Sequence, residues 1–518
     1  MNKKRMRCAL CAALCLILSV TMTGCVGGVD VLNKESGVTL PPAATAHAAP
    51  TGDTDQEIAQ TVLLYVPNVS GTRLIAQTER IVISAARHPA ETTLRHLFAF
   101  AGSDSAQPLS RDVSLQLSPV NPVEVSGGIA TVNLGASALT LSHGDFYVVC
   151  QAIANTLTQW GDIRYVNVLV SSTQPGLDVG ANVPMGCFVQ NLNDSIDALT
   201  AAAETLAVGP ADRRVSLVAA LYYPSFSGRG ILAEARGVSF ANRSKSVLIE
   251  GLLDAMSQTP QQISNVPALP NLTAYLSETP VVQEIAVTGG QRAVLRFQQS
   301  FNDALIASGV PRSVMMAAIT YTLSGFVPGI NGVTVYIGEE LISSVVPGGV
   351  YEGAGETIAF SNDVMRRSDF SRFLLDNCTL YFGDGTGRLT DVRRPVPYYE
   401  TRSARYLIGC LMQGPQLVDG MSDTHAVLPP DLGDADLLGV GLDGSVMVLN
   451  FSQHFASAAR ECDAEAERLL VYAIVNTLCE LPAVRGVSFF INGTQPETLS
   501  GGLYLPGDFL KNGSIVRE

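Results

Sequence analysis

The octet Ile153–Trp160 (Ile-Ala-Asn-Thr-Leu-Thr-Gln-Trp) returns in altered form at Ile319–Phe326 and again at Ile474–Leu481. A threonine holds the fourth place each time, at Thr156, Thr322 and Thr477. The copies lie roughly 160 residues apart, far beyond a solenoid period and close to the length of one ordinary domain. This pattern points to a small domain built three times, so the function has to suit triplication rather than one large enzyme.

The flanking segments repeat in the same order. An apolar run ends in Leu64-Tyr65, Leu221-Tyr222 and Leu380-Tyr381, and a polar, Gly-bearing turn follows at 68–71, 225–228 and 383–387. Next come a short run with an arginine (Arg80, Arg236, Arg393) and an apolar-periodic segment at 91–100, 246–256 and 405–412. Alternating stretches at 129–134, 293–297 and 446–451 precede the octets. Apolar residues spaced by four, four and three (Val149, Ile153, Leu157, Trp160 in the first copy) form one helical stripe. A period-two strand follows each helix, as in Val166/Val168/Val170.

Each copy therefore predicts strand, turn, strand, helix, hairpin, helix, strand. The expected fold class is α+β: three tandem small domains, each a mixed β-sheet with two helices packed on one face and the other face partly wet. The expected domains are 61–172, 217–340 and 377–518, the last including a C-terminal tail. Between them lie connecting segments 173–216, with an amphipathic helix at Leu192–Leu206, and 341–376. These segments either pack onto the domains or join them loosely.

Residues 1–25 predict a lipoprotein signal peptide. Lys3, Lys4, Arg5 and Arg7 precede a short apolar core, which leads to Met22-Thr23-Gly24-Cys25, similar to a bacterial lipobox. Cys25 is the expected lipidation site, and two acyl chains on one cysteine anchor stably where one would not. Residues 26–60 are poor in large apolar side chains and carry Pro41-Pro42 through Pro50, which predicts a disordered tether.

Loss of the four basic signal residues would take the formal net charge from −14 to −18. Such acidity argues against nucleic-acid binding through long-range attraction. Ten cysteines suggest a disulfide scaffold until they are placed: three leave with the signal and Cys25 carries lipid. The other six (Cys150, Cys187, Cys378, Cys410, Cys462, Cys479) do not recur between copies, so isolated buried thiols are expected.

No catalytic residue, cofactor-binding residue or metal ligand emerges. The six histidines are scattered, and no Gly-x-Ser-x-Gly, His-Glu-x-x-His or phosphate-cradling loop is present. Three features invite a site but have plainer explanations. Gly383–Gly387 with Asp391 resembles a calcium loop but lacks the closing Glu, so a hairpin turn is expected. Thr156, Thr322 and Thr477 are expected to bond back to a preceding helix carbonyl or to pack their methyls. Arg80, Arg236 and Arg393 are expected on exposed strands, where they could instead form a partner-binding row.

Leu380-Tyr381-Phe382, Gly385–Leu389, Tyr406–Pro415, Asp443–Phe451, Ile474–Leu478 and Val487–Gly493 together resemble the GerMN domain. The third copy fits best; the first has Ala101-Gly102 where the family has Gly-Pro, and the second lacks Gly-Pro there. Members of the family occur in lipoproteins of Gram-positive bacteria and are linked to sporulation and spore germination. Their fold is similar to the ring-building modules of the channel between mother cell and forespore, and the family supplies no catalytic residues to transfer. The resemblance implies a non-enzymatic lipoprotein on the outer leaflet of the cytoplasmic membrane. Its implied partners are other envelope or sporulation proteins, without nucleic acid or cofactor. The alternative is an extracytoplasmic lipoprotein that captures a cell-wall fragment or small solute in a pocket between copies.

Overall fold

The computed structural model describes residues 47–517, apart from 55–56, 178–182, 209–212, 265, 287–288, 349–354, 417–418, 420–422 and 500–502. The first stretch runs β1 (Glu57–Pro67), β2 (Leu74–Ser84), α1 (Ala90–Ala99), β3 (Val123–Ser126), β4 (Ile129–Leu134), α2 (His143–Leu157), β5 (Tyr165–Val170) and α3 (Ile196–Ala207). The second runs β6 (Val215–Pro224), β7 (Ile231–Phe240), α4 (Lys245–Met256), β8 (Val281–Glu284), β9 (Gln291–Phe297), α5 (Ser300–Ala307), α6 (Arg312–Phe326) and β10 (Ile330–Ile337). Three two-residue strands follow, β11 (Glu340–Leu341), β12 (Ser344–Val345) and β13 (Ile358–Ala359). The third runs β14 (Leu375–Gly383), β15 (Leu389–Pro397), α7 (Ala404–Met412), β16 (Leu437–Asp443), β17 (Val446–Phe451), α8 (Gln453–Ala459), α9 (Ala464–Leu478), β18 (Gly486–Ile491) and β19 (Phe509–Leu510). Serines and an aspartate cap the helices where propensity alone would let them fray: Ser142, Ser195, Ser403 and Asp463 accept from backbone N–H groups of the following first turns.

The mixed α+β class holds, and the expected elements recur three times, but the strands of each unit fall into two sheets. β1–β2, β6–β7 and β14–β15 are separate antiparallel ribbons. The remaining strands form mixed sheets, in which β3–β4, β8–β9 and β16–β17 pair antiparallel. β4–β5, β9–β10 and β17–β18 pair parallel, with a helix crossing over.

The octet threonines explain part of this division. Thr156 Oγ1 accepts the N–H of Tyr65 at 3.0 Å, Thr322 that of Tyr222 at 3.0 Å, and Thr477 that of Tyr381 at 3.2 Å. In the first unit Gln159 completes the arrangement, accepting from Leu63 N–H and donating to Leu63 C=O. One backbone N–H at the open edge of each ribbon, together with both Leu63 groups in the first, is thus bonded to a helix side chain, which helps to protect that edge from a further strand. The threonines therefore tie helix to ribbon, in place of the expected bond to a helix carbonyl. Thr322→Val keeps the side-chain volume but leaves the buried Tyr222 N–H without an acceptor. It should lower stability by about 1–3 kcal/mol in urea denaturation, and an unchanged midpoint would show the bond to be dispensable.

Three main apolar cores result, one per unit. The first gathers Leu64, Ile83, Leu94, Ile153, Val168 and their neighbours, the second surrounds Ile319 on α6, and the third surrounds Ile474 on α9. The two segments expected as connectors, and the C-terminal tail of the third unit, fold back onto the sheets. Phe188 bridges antiparallel to Val166 of β5, Met365 to Val333 of β10, and Phe509 of β19 to Val487 of β18. Asparagines one place before two of the octet threonines clamp the returning chain. Asn155 donates to Asn191 C=O and accepts its N–H, and Asn476 does the same with Asn512.

The expected tether, 26–60, is corrected at its far end. Residues 47–54 lie against the third unit, where Thr54 N–H donates to Val440 C=O, and β1 already begins at Glu57. The segment is poor in large apolar side chains and is held instead by polar and backbone contacts. Cys25 and the rest of the tether lie outside the described residues.

Candidate functional site

The expectation of a partly wet sheet face fails for the first unit, and its failure locates the central feature of the molecule. Every residue of β4 is buried, because the second unit covers the other face of its sheet. Polar residues that alternation assigns to solvent meet polar partners there instead. Glu124 of β3 accepts from Arg367 Nη2 at 2.7 Å and from the Tyr321 hydroxyl at 3.1 Å. Arg367 also donates to Tyr321 C=O at 3.1 Å, and its guanidinium lies 3.9 Å from the Tyr321 ring centroid. Thr131 of β4 meets the Tyr222 hydroxyl, and Asn167 of β5 donates to Gly325 C=O. Both members of the ion pair are under 5% exposed, so the network is satisfied internally rather than by water.

All three units meet at the β3–β4 turn. Ser126 Oγ donates to Leu375 C=O of the third unit and accepts Ala233 N–H of the second. Gly127 N–H donates to Asp376 at 3.0 Å. Gly127 adopts φ +58°, and a Cβ there would lie 1.8 Å from Ala233 O, so glycine is required by conformation and by close approach. Burial pushes the Asp376 carboxyl up to about 6, against the pull of the Gly127 and Asn377 N–H groups.

Beside this junction the first and third units share a cleft of about 740 Å³, lined by Trp160, Asp162, Asp376, Thr401, Arg402 and Glu480 among others. Asp162 Oδ2 accepts from Arg402 at 2.7 Å and lies 3.1 Å from His88 Nε2. Burial works against its charge, but His88 and Arg402 hold its carboxyl below the usual carboxylate range. Burial lowers the His88 pKa, with Asp162 opposing. The Ala90 N–H donates to His88 Nδ1, which assigns the remaining proton to Nε2. Both ring nitrogens are therefore engaged at the start of α1, and the imidazole has no free nitrogen to serve as a base.

The three sequence-aligned arginines do not occupy equivalent places. Arg80 and Arg393 lie exposed on β2 and β15, whereas Arg236 is largely buried. Strand register makes Arg394 the counterpart of Arg236, since both lie opposite the residue three before the ribbon tyrosine. Arg236 donates to the Ala255 carbonyl in the last turn of α4 and the Thr259 carbonyl just beyond it, and Arg394 to Cys410 and Gly414 carbonyls at the end of α7. Each is also paired, with Glu234 and Asp419 respectively. A cation at a helix C-terminus meets the partial negative charge of the last carbonyls. Glu79 stands at the matching register in the first unit and faces His96 in the last turn of α1, an acidic residue in place of the arginine. The partner-binding row is thus replaced by a fastening of ribbon to helix, and adjacent arginines in Arg393-Arg394 hid the register.

The 383–387 turn is a hairpin turn in which Asp384 accepts from the Thr386 and Arg388 N–H groups. Among the described residues no group of three or more His, Cys, Asp or Glu side chains is placed to hold a metal. The six described cysteines are free; Cys150, Cys378 and Cys410 are buried, Cys187, Cys462 and Cys479 half-buried. Burial raises the Cys187 thiol to about 12 and the Cys410 thiol to about 11.

The Germane family model, described as sporulation and spore germination, matches residues 379–497. No curated protein matches the chain. Among solved structures, the tandem GerMN domains of the sporulation protein GerM from Bacillus subtilis are 16% identical, covering 58% of this chain and all of that one, with a TM-score of 0.22. The first GerMN domain of the same protein is 24% identical over 26% of this chain and 97% of its own, with a TM-score of 0.22. A putative lipoprotein from Clostridium perfringens is 21% identical over 26% of this chain and 88% of its own, with a TM-score of 0.19. The family match, with the strand and helix order described above, carries the assignment. Residues 379–497 match the Germane family, whose description is sporulation and spore germination.

Proposed function

We propose that this chain is a lipid-anchored, extracytoplasmic envelope protein that acts by protein–protein association in sporulation or spore germination, without catalysing a reaction. The observation that carries the reading is the use made of its interior polar groups. Thr156, Thr322 and Thr477 fasten ribbons, Asn155 and Asn476 fasten returning strands, and Glu124 with Arg367 fastens two units together. Three joined units multiply outward surfaces, and linked weak contacts gain avidity through effective concentration. Exposed apolar residues at two equivalent ribbon tips, Val69 and Phe226, suit such contacts. The Germane domain supports the sporulation context, and the lipobox-like Met22–Cys25 supports the anchor.

Affinity capture of the full chain from crosslinked membranes of sporulating and vegetative cells should recover at least one stoichiometric protein partner. Cys25→Ala should move the chain from the membrane to the soluble fraction. Capture of the chain alone under both conditions would remove the association reading, and continued membrane retention of the variant would remove the anchor.

A further inference from the structure

Residues 47–54 make an orderly set of contacts along the β16 edge. Arg405 donates through Nε and Nη2 to the two carboxylate oxygens of Asp53, each at 2.7 Å. Asn450 Nδ2 donates to Pro50 C=O at 2.9 Å, and Thr54 N–H donates to Val440 C=O at 3.0 Å. The His47 ring lies between two aspartates, with Nδ1 2.8 Å from Asp443 and Nε2 3.0 Å from Asp508. The groove floor is shaped for this approach. A Cβ on Gly439 would fall 2.5 Å from Pro50 O, and one on Gly441 2.9 Å from Thr54 Oγ1.

Comparison of the units shows what the segment replaces. Asn133 of the first unit, on the matching strand, donates to the carbonyl of Val120, 13 residues away in its own preceding loop. Asn450 reaches for a carbonyl 400 residues away. The third unit thus receives from the N-terminal segment what the first unit supplies to itself.

We propose that the β16 edge of the third unit is a peptide-binding groove, and that residues 47–54 are its intramolecular ligand. The groove selects a segment of the pattern His-x-x-Pro-x-x-Asp, bent at Thr51-Gly52: a cation for Asp443 and Asp508, a carbonyl for Asn450 and a carboxylate for Arg405. Both His47 ring nitrogens face carboxylates, so the docked ring carries a proton on each. Asp443 from β16 and Asp508 from the chain before β19 are the charged groups facing it, while Asp53, Arg405 and Asp434 cluster at the opposite end.

The direction of pH dependence follows. Burial alone would lower the His47 pKa, but the hydrogen bonds and charges of Asp443 and Asp508 raise it above the ordinary imidazole value. Docking is therefore fully supported below the ordinary value and weakens as pH rises through the raised one.

Hydrogen exchange read by mass spectrometry on the full chain tests the proposal. In the wild type the 47–54 peptide should keep one slowly exchanging amide, the Thr54 N–H bonded to Val440 C=O, and its protection should fall with rising pH after correction for intrinsic exchange. His47→Ala and Asp53→Ala, both outside the unit cores, should each speed its exchange at least about tenfold. Gly439→Val should do the same while β17 stays protected, showing that the unit remains folded. A fluorescent, end-blocked octapeptide with the sequence of 47–54 should bind the His47→Ala/Asp53→Ala chain and not the wild type, whose groove is filled. Unprotected exchange in the wild type, or no change in the two strap variants, would overturn the intramolecular ligand. A flat pH profile would overturn the charged latch. A peptide that binds neither chain, or both equally, would overturn the groove.

Discussion

Replacing Arg367 with methionine should remove about 3–5 kcal/mol of unfolding free energy, the largest loss expected from any single side chain at the contact between the first two units. The substitution leaves Glu124, only 3% exposed in its side chain, without a countercharge and with the Tyr321 hydroxyl as its remaining partner. It also removes the donor to Tyr321 C=O and the cation over the Tyr321 ring. The loss reports an abandoned charge rather than the net worth of the pair, and a second substitution separates the two. Glu124→Leu together with Arg367→Met should recover most of the loss, leaving about 1–3 kcal/mol for the unsatisfied Tyr321 hydroxyl. Chemical denaturation followed by circular dichroism measures all three chains. A single-variant loss below about 1 kcal/mol would mean that water reaches Glu124 and the two units part in solution.

A comparable loss, again about 3–5 kcal/mol, should follow Arg394→Met in the third unit. Asp419 is fully buried and accepts from Arg394 Nε at 2.9 Å and Nη2 at 2.6 Å. The same guanidinium satisfies the Cys410 and Gly414 carbonyls where α7 ends, so one substitution leaves a buried carboxylate with no countercharge and, among the described residues, only the Gln416 N–H as donor, and takes a donor from two carbonyls. Hydrogen exchange should localise the damage to α7 and the β14–β15 ribbon, with the β6–β7 ribbon unaffected. Uniform loss of protection across all three units would contradict a fastening local to the third.

The elements themselves were legible because their signals are local. Apolar spacing marked α2, α6 and α9, period-two runs marked β5, β10 and β18, and the turn at 383–387 announced itself by its Gly and Asp. Partnerships across distance were not. Glu124, Thr131 and Asn167 alternate with apolar neighbours as residues on a wet face would, and nothing local distinguishes a polar side chain facing water from one facing Arg367. The arginine triplet misled because the β1–β2, β6–β7 and β14–β15 registers place different residues opposite the ribbon tyrosines. Arg236 corresponds to Arg394 and to Glu79, a substitution of sign that no residue-type match could recover. The docked 47–54 segment escaped notice since it buries little apolar surface, and composition registers only that.

Ser126 bonds to backbone in both other units, and Gly127 leaves no room for a side chain between them. Flexing one unit against another would break hydrogen bonds at a point where no solvent waits to replace them. The chain is therefore built as a gauge rather than as beads on a string. Under the proposed association, a partner touching the ribbon tips at Val69 and Phe226 would meet them at a set separation, and one with the wrong spacing would forfeit the second contact.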